Sequence, residues 1–299
     1  MKTLLTPIKS LFAIYAVLLI LSNCVSSVSS TLNGPQKALT FLTGLDALLD
    51  DNCEPLKGKR VGLITNQTGV SNRMIQNIEL FIESENVDLR AIFSPEHGLF
   101  GSISAGKKII NRSESKFGVP IYSLYGDTRR PTKEMLKDLD ILVFDIQDIG
   151  IRSYTYISTM GLAMDAAADQ GIEFMVLDRP NPMGLNKIEG NVLDSQLSSF
   201  IGMYPIPYVY GLTAGELASM INDQGWLGGS KCNLTIIKMR NYGRGSSYNE
   251  LGSIVNQSRT KKSNGKTVEL INTSDLKSGI YFMSIIIDGN AITKEFLIN

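Results

Sequence analysis

The sequence is poor in the residues from which metal sites and hydrolytic triads are built. Its 299 residues include one histidine, His97, and three widely spaced cysteines, Cys24, Cys53 and Cys232. The cysteines form no C-x-x-C pair and no Cys/His spacing, so we expect no bound metal. A Ser-His-Asp hydrolase would have to use His97, and the G-x-S-x-G turn that accompanies such a serine is absent.

The sequence also lacks the common nucleotide-binding motifs and an excess of charge. It has no G-x-x-x-x-G-K-S/T loop and no G-x-G-x-x-G turn, which argues against nucleotide-dependent enzymes. The 29 Lys and Arg residues balance the 29 Asp and Glu residues, whereas a nucleic-acid-binding protein normally carries a basic surplus. We therefore expect no cofactor and no nucleic-acid partner.

Residues 1–30 have the pattern of a signal peptide. Two lysines precede an unbroken apolar run over 11–21, and small residues follow it. This run of 11 residues is too short for a helix that spans a bilayer, which needs about 20 residues. We therefore expect an exported protein with no transmembrane span after signal removal, located in the periplasm, at the cell surface or secreted.

Export would decide the chemistry of the cysteines. Cys24 stands where a lipoprotein cysteine would, although the bulky Asn23 before it makes lipidation the weaker alternative. In an oxidising space Cys53 and Cys232 could form a disulfide, and the sequence leaves that pairing open.

Residues 31–242 are predicted to form an α/β domain with a Rossmann-like open, mostly parallel sheet and helices on both faces. Short apolar runs alternate with amphipathic stretches, which is typical of repeated strand–helix units. The runs are almost continuously apolar, which indicates strands that are buried on both faces. The predicted strands are 60–65, 89–93, 121–124, 141–145 and 173–177.

Three helices are predicted between or after these strands. The first is expected to be capped by Ser71 and to bury one face, consisting of Ile75, Ile78 and Ile82. The second spans about 155–170, with Gly171 at its C-terminal cap. The third, within 213–225, opens with the capping box Thr-Ala-Gly-Glu.

Residues 243–299 differ from the rest and are predicted to be a linker followed by part of a β-sandwich. All ten prolines of the chain precede residue 208, and the tail is polar and rich in Gly, Ser and Asn up to residue 265. Alternating apolar residues follow, and Asp288-Gly289 is the predicted turn of a hairpin.

Polar side chains follow each of the five predicted strands. Ligands bind outside the carboxyl ends of the strands in open parallel sheets, so we expect these side chains along one rim. The candidate substrate-binding residues are Asn66, Asp127, Arg129, Gln147, Asp148, Arg152, Tyr154, Tyr156, Asp178, Arg179 and Asn181. Such amides, carboxylates, guanidiniums and aromatic rings suit a polyhydroxylated substrate, whereas the alternative is that they cap helices and satisfy turns.

Glu96 and His97 are the candidate catalytic pair, because an acid at a strand end beside the only imidazole could act as a general acid. The alternative is an ordinary ion pair and a turn histidine. A glycosidase normally needs a second carboxylate, for which Asp127, Asp148 and Asp178 are candidates. Their separation from Glu96 would decide whether the anomeric centre is retained or inverted, and the sequence leaves this open.

Six long motifs carry a resemblance to a known family. They are GKRVGLITNQTGV (58–70), FSPEHGLFG (93–101), PIYSLYGDTRRPT (120–132), DILVFDIQDIGIRSYTYISTM (140–160), VLDRPNPMG (176–184) and YGLTAGELA (210–218). Over roughly 42–242 the sequence resembles the NamZ-type exo-β-N-acetylmuramidases, formerly a domain of unknown function.

The resemblance implies a Rossmann-like domain with a smaller second domain and an active site in the cleft between them. It implies release of N-acetylmuramic acid from the non-reducing end of peptidoglycan fragments during cell-wall turnover. The glutamate of the family's SPEHG motif falls on Glu96 and its histidine on His97. The QD-G-R-YTY segment falls on residues 147–156, and the DRPNP segment on residues 178–182.

The resemblance also has two departures. Family members continue past the position of Met239 into the second domain, and no sequence resembling that domain follows here. The end of the chain instead resembles the last part of a type IX secretion sorting domain, in YNELGSIVNQ and SDLKSGIYFMSIIIDGNAITKEFLIN. The expected partners are peptidoglycan-derived muramyl glycans and the type IX secretion machinery, and the alternative function is a non-catalytic peptidoglycan-binding surface protein.

Overall fold

The computed structural model describes residues 41–102, 117–246, 279–287 and 290–298. The predicted signal peptide, Cys24 and the predicted turn at 288–289 lie outside these residues. Within the described ranges, no helix has the length and apolar character needed to cross a bilayer.

Six parallel strands form one sheet in the order β3-β2-β1-β4-β5-β6. Their bounds are β1 Arg60–Thr65, β2 Asp88–Ser94, β3 Ile121–Ser123, β4 Ile141–Asp145, β5 Glu173–Leu177 and β6 Asn233–Ile237. The five strands predicted from the sequence are confirmed. The sixth was missed, because this strand lies at the sheet edge, is only partly buried and reads as a mixed polar segment.

Helices cover both faces of the sheet. They are α1 Gly44–Asp50, α2 Asn77–Glu83, α3 Lys133–Leu136, α4 Tyr156–Gln170 and α5 Ala214–Asp223. One hydrophobic cluster joins α4 and α5 to the sheet side chains of Phe93, Leu142 and Phe144. A second cluster joins α1 and α2 to Leu63 and Val143, whose side chains lie on the opposite face of the sheet. This is the α/β architecture that the sequence predicts.

The two longer helices begin and end as predicted. Gly171 takes a left-handed φ of 65° directly after α4, which glycine does without steric cost. In α5 the Thr213 Oγ1 accepts a hydrogen bond from the Glu216 backbone N–H at 3.1 Å, and a Glu216 carboxylate oxygen accepts one from the Thr213 N–H at 3.1 Å. The predicted capping box is therefore confirmed.

The prediction that Ser71 caps the first helix is wrong. Its Oγ accepts hydrogen bonds from the N–H groups of Arg73 and Ile75 in a turn, and α2 begins at Asn77. The Asn77 side chain is buried and donates to Thr65 Oγ1 at 2.8 Å and Asp145 Oδ2 at 2.7 Å. This anchorage to the sheet fixes the start and rotation of α2.

The rotation of α2 also corrects its predicted buried face. Ile78 and Phe81 are buried, whereas Ile82 is 48 % exposed and Ile75 precedes the helix. The contact of Asn77 with the sheet therefore decides which face of α2 is buried. The spacing of apolar residues in the sequence carries no information about that contact.

The two cysteines of the described region are both free and buried. Cys232 belongs to the cluster that contains α4 and α5, and Cys53 to the cluster on the opposite face. The sheet lies between these clusters, so the pairing that the sequence left open does not form.

The tail contains an antiparallel pair, β7 Gly279–Ile287 and β8 Asn290–Ile298. The register of this pair runs from Gly279 opposite Ile298 to Ile287 opposite Asn290.

Candidate active site

The strand order brings the loops after β1 and β4 side by side. From β1 the chain continues toward one edge of the sheet, and from β4 it continues toward the other edge. Open α/β sheets bind ligands at the point between two such strands. Thr68 joins the two loops, because its hydroxyl donates to Asn66 Oδ1 at 2.6 Å and accepts from the Gln147 N–H at 3.0 Å. The Gln147 amide Nε2 donates to the carbonyl oxygens of Asp148 and Pro180, both at 2.7 Å. The rim is therefore cross-linked by polar groups before any ligand binds.

Glu96 lies just beyond β2 and is half-buried. Thr155, the residue before α4, donates from Oγ1 to Glu96 Oε2 at 2.9 Å. His97 and Gly98 follow with φ values of 68° and 76°, a left-handed turn that is costly for histidine. Strained backbone of this kind is found preferentially at functional sites.

Tyr154 and Tyr156 stand next to this acid. Their rings meet edge to face with centroids 4.7 Å apart. Burial raises the pKa of the Tyr156 hydroxyl, and the neighbouring Tyr154 and Glu96 raise it further, so this hydroxyl keeps its proton. The same hydroxyl lies near the Asn66 amide, whose buried Nδ2 makes no hydrogen bond of normal length within the described residues.

Asp148 is a second acid at the rim, but it is only 6 % exposed. Its Oδ2 accepts hydrogen bonds from the Tyr210 hydroxyl and from the Gly150 N–H, the latter at 2.7 Å. Burial raises the pKa of Asp148 to about 6, and these hydrogen bonds lower it in part. Its Oδ1 is buried without a partner among the described residues.

Asp178 and Asn181, beyond β5, tie loops together. Asp178 accepts from the Gly215 N–H at 2.8 Å and from the Thr213 hydroxyl at 2.9 Å, which fastens the start of α5 to the sheet. Burial raises the pKa of Asp178 to about 6 against the effect of these donors. The Asn181 amide donates to the Leu212 carbonyl at 2.9 Å.

Arg179 forms a buried ion pair with Asp145. Its Nε and Nη2 donate to the two carboxylate oxygens at 2.6 and 3.0 Å, and Nη2 also donates to the Val70 carbonyl at 3.0 Å. The arginine side chain is 4 % exposed and that of the aspartate 0 %. The guanidinium group of Arg179 therefore already donates hydrogen bonds to Asp145 and to the Val70 carbonyl.

Arg152 holds a long segment across the rim. We call residues 182–209, which connect β5 to α5 without a strand, the crossing segment. Arg152 Nη1 donates to the carbonyls of Asn191, at 2.8 Å, and Ile206, and its backbone N–H donates to the Tyr208 carbonyl at 2.7 Å.

The loop after β3 carries Asp127 and Arg129, both of which are exposed. The guanidinium carbon of Arg129 lies 4.3 Å from the ring centroid of Phe200 and 5.6 Å from that of Tyr125. Phe200 belongs to the crossing segment, which thus reaches from β5 to the opposite side of the rim.

The predicted residues divide into two groups by burial. The exposed or half-buried ones are Glu96, His97, Asp127, Arg129, Gln147, Arg152 and Tyr154. The buried ones are Asn66, Asp148, Tyr156, Asp178, Arg179 and Asn181. Side chains of the first group are open to solvent, whereas those of the second group lie inside the loops that carry the first.

Sequence reasoning missed several residues of this rim, namely Thr68, Tyr125, Thr155, Phe200 and Tyr210. Thr155 lies inside the Tyr-Thr-Tyr run and Tyr125 directly after a predicted strand, so both had a positional signal. Phe200 had none, because its place depends on the path of a long segment that has little regular structure besides the short 3-10 helix Ser195–Leu197.

Two family models match the chain. Residues 61–264 match "Exo-beta-N-acetylmuramidase NamZ, N-terminal", and residues 231–299 match "Secretion system C-terminal sorting domain". The two matches overlap at 231–264, and in the structure β6 of this overlap is part of the six-stranded sheet.

Individual proteins are similar over most of the chain. Peptidoglycan beta-N-acetylmuramidase NamZ of Bacillus subtilis (strain 168) is 45 % identical over 244 residues, which are 81 % of this chain and 58 % of that protein. A crystal structure of a DUF1343 family protein from Bacteroides fragilis NCTC 9343 is 52 % identical with a TM-score of 0.66, over 72 % of this chain and 54 % of that one. A second such structure from the same organism is 38 % identical with a TM-score of 0.60, over 70 % and 54 %. The chain therefore spans little more than half the length of these relatives.

Proposed function

The chain belongs to the NamZ family of exo-β-N-acetylmuramidases, and we propose that it is an exported glycoside hydrolase that releases N-acetylmuramic acid from the non-reducing end of peptidoglycan fragments. The observation that carries the proposal is the Glu96 carboxyl group, held by Thr155 at the carboxyl ends of the strands. The polar and aromatic side chains around it suit a sugar with hydroxyl, acetamido and carboxylate groups.

In this proposal Glu96 is the general acid. Thr155 engages Oε2, and within the described part of the chain Oε1 accepts no hydrogen bond. The proton can therefore sit on Oε1 and pass to the glycosidic oxygen as the bond to the anomeric carbon breaks. The strained turn at His97 helps to aim the carboxyl group along the rim.

The second carboxylate in this proposal is Asp127. Asp148 and Asp178 are buried, and both accept hydrogen bonds from neighbouring loops. Asp127 is exposed on the loop beside that of Glu96, where it can act on a water molecule or on the anomeric carbon.

The remaining predicted residues take binding and supporting roles. Gln147, Arg152 and Tyr154 line the rim, and Tyr154 offers an aromatic face to a sugar ring. Asn66, Tyr156, Arg179 and Asn181 hold the loops from below. Preorganised loops of this kind lower the entropic cost of orienting a substrate.

For export we propose that the signal peptide at 1–30 leads to the periplasm and that the sorting domain directs passage by type IX secretion to the cell surface or the medium. The match of residues 231–299 to a secretion sorting domain supports this route. Lipidation at Cys24 is the alternative anchor, and mass spectrometry of the mature N-terminus distinguishes the two.

The activity is tested on a disaccharide of N-acetylmuramic acid linked to N-acetylglucosamine, whose sugar leaving group needs a proton, with three proteins: wild type, Glu96→Gln and Glu85→Gln. Glu85 is exposed before β2, at the opposite end of the sheet, so its variant is a matched control for loss of charge. Removing a general acid costs about 100- to 10,000-fold in kcat, and the control should keep its activity. Undiminished activity of Glu96→Gln would exclude the assigned role.

The second candidate function is binding of muramyl glycans without turnover. It is favoured by the observation that Asp148 and Asp178, two of the three candidate second carboxylates, are buried and accept hydrogen bonds from neighbouring loops. Saturable binding of muropeptides by a wild-type protein that releases no sugar would support this function over hydrolysis.

A further inference from the structure

We propose that Arg129 is the residue that selects N-acetylmuramic acid over N-acetylglucosamine, by binding the carboxylate of the lactyl ether. This inference rests on the proposed function, and it assigns a specificity determinant within that site. The two sugars differ by this one ether, whose carboxylate is the only charge on the muramic acid ring.

The Arg129 side chain is preorganised by aromatic rings. Its guanidinium carbon is 4.3 Å from the centroid of Phe200 and 5.6 Å from that of Tyr125, and these two rings lie 6.1 Å apart at 46°. A guanidinium packed on aromatic faces keeps its N–H groups directed outward from its edge. The side chain therefore presents a fork without the usual loss of rotamer freedom.

No residue in the described part of the chain uses the hydrogen-bond donors of this arginine. Within the described residues, Arg129 forms no ion pair and no hydrogen bond, although it is exposed at the rim. Arg130 differs, since Asp165 at 2.8 Å and Asp169 both bind it. Arg152 also differs, because backbone carbonyls occupy its Nη1. Arg129 is thus the rim arginine whose fork can receive an external carboxylate.

The position of Arg129 relative to Glu96 suits the chemistry of the sugar. Ser94 of β2 pairs with Ser123 of β3, and the Leu124 N–H donates to the Ser94 carbonyl at 2.8 Å. The loops that carry Glu96 and Arg129 therefore leave neighbouring strands at the same level of the sheet. The scissile bond and the lactyl ether belong to one pyranose ring, and two adjacent loops can supply a binding group for each.

Bidentate geometry makes the contact selective. Arginine matches a carboxylate with two parallel N–H···O bonds, which lysine does not reproduce. Hydrogen bonds to charged groups correspond to about 10- to 100-fold in an equilibrium or rate ratio. We expect a preference of this size for the carboxylate over an uncharged ester.

The test compares kcat/KM for a chromogenic N-acetylmuramide and for its lactyl methyl ester, which replaces the charged carboxylate by a neutral group that is one methyl larger. The wild type should prefer the acid by about 10- to 100-fold, and Arg129→Ala should lose that preference by slowing the acid alone. Arg129→Lys and Phe200→Leu should retain an intermediate preference. Arg90→Ala, which removes an exposed charge from the amino-terminal half of β2, should behave as the wild type.

The proposal would be overturned if Arg129→Ala lowered kcat/KM equally for the acid and the ester. It would also be overturned if the wild type had the same kcat/KM for both compounds. If the wild type hydrolyses neither compound, the proposed hydrolase function fails, and ligand-observed NMR with free N-acetylmuramic acid and its methyl ester decides the role of Arg129. A binding preference that is lost in Arg129→Ala supports the role, and a preference that survives contradicts it.

Discussion

At the scale of single residues, the proposed mechanism depends on the hydrogen bond from Thr155 to Glu96, which would set how the carboxyl group presents its proton. The donor sits at the start of α4, so the longest helix of the described chain fixes its position. Thr155→Val removes the donor at nearly constant volume. We expect kcat to fall by up to about 100-fold with a smaller change in KM, because misplacing a reacting group has that cost.

Thr155→Ser is the control for this prediction, since it keeps the hydroxyl. It should recover most of the activity, and both variants should unfold at temperatures close to the wild type. A valine variant that is fully active, or a serine variant as slow as the valine variant, would show that the hydroxyl does not position Glu96.

Asp148 gives the molecule a pH-dependent stability. Burial raises the pKa of this carboxyl from 3.8 to about 6, so between these values the folded state binds a proton that the unfolded state has released. Stability from this group is therefore fully present below pH about 4 and is lost as the pH rises through 6. A shift of this size corresponds to about 3 kcal/mol.

The measurement is the free energy of unfolding in urea at several pH values for the wild type and for Asp148→Asn. The advantage of the wild type over the variant should shrink between pH 4 and 7 by up to about 3 kcal/mol. Asp178, whose pKa is also raised to about 6, is present in both proteins and cancels in the difference. A difference that does not change with pH would contradict the prediction.

At the scale of elements, Gly161 lets α4 pack against the crossing segment. A Cβ at this position would lie 1.5 Å from the Tyr204 hydroxyl oxygen and 2.7 Å from its Cζ. Gly161→Ala should therefore destabilise the protein by about 1–3 kcal/mol, although alanine is the better helix former by about 1 kcal/mol.

Tyr204→Phe in the same chain removes the nearest clashing atom and should restore part of that loss, as chemical denaturation of the single and double variants would reveal. Independent, additive effects of the two substitutions would mean that they do not meet.

Elements were predictable from sequence where local chemistry determines them. The capping box at Thr213 and the glycine after α4 act over a few residues, and both took the predicted form. The start of α2 depends instead on Asn77 reaching Asp145, which is 68 residues away, and no local pattern contains that contact. The half-buried edge strand β6 likewise gains its conformation from β5.

At the scale of the whole molecule, the sheet order explains why the rim could be predicted and the individual roles could not. Parallel strands bring their carboxyl ends to one edge, so the polar residues after each strand had to converge. Whether such a residue faces the substrate depends on its partner. Arg129 and Arg179 follow strands in similar contexts, yet one packs on Phe200 at the surface and the other pairs with buried Asp145.

The central claim is that Glu96 faces the glycosidic oxygen of a muramyl sugar bound on this rim. The most direct measurement is a crystal structure of Glu96→Gln with a disaccharide of N-acetylmuramic acid linked to N-acetylglucosamine. The account predicts the glycosidic oxygen within about 3.2 Å of the side chain at position 96, with the lactyl carboxylate toward Arg129. A disaccharide bound away from the strand ends, or with its glycosidic oxygen turned from position 96, would contradict the account.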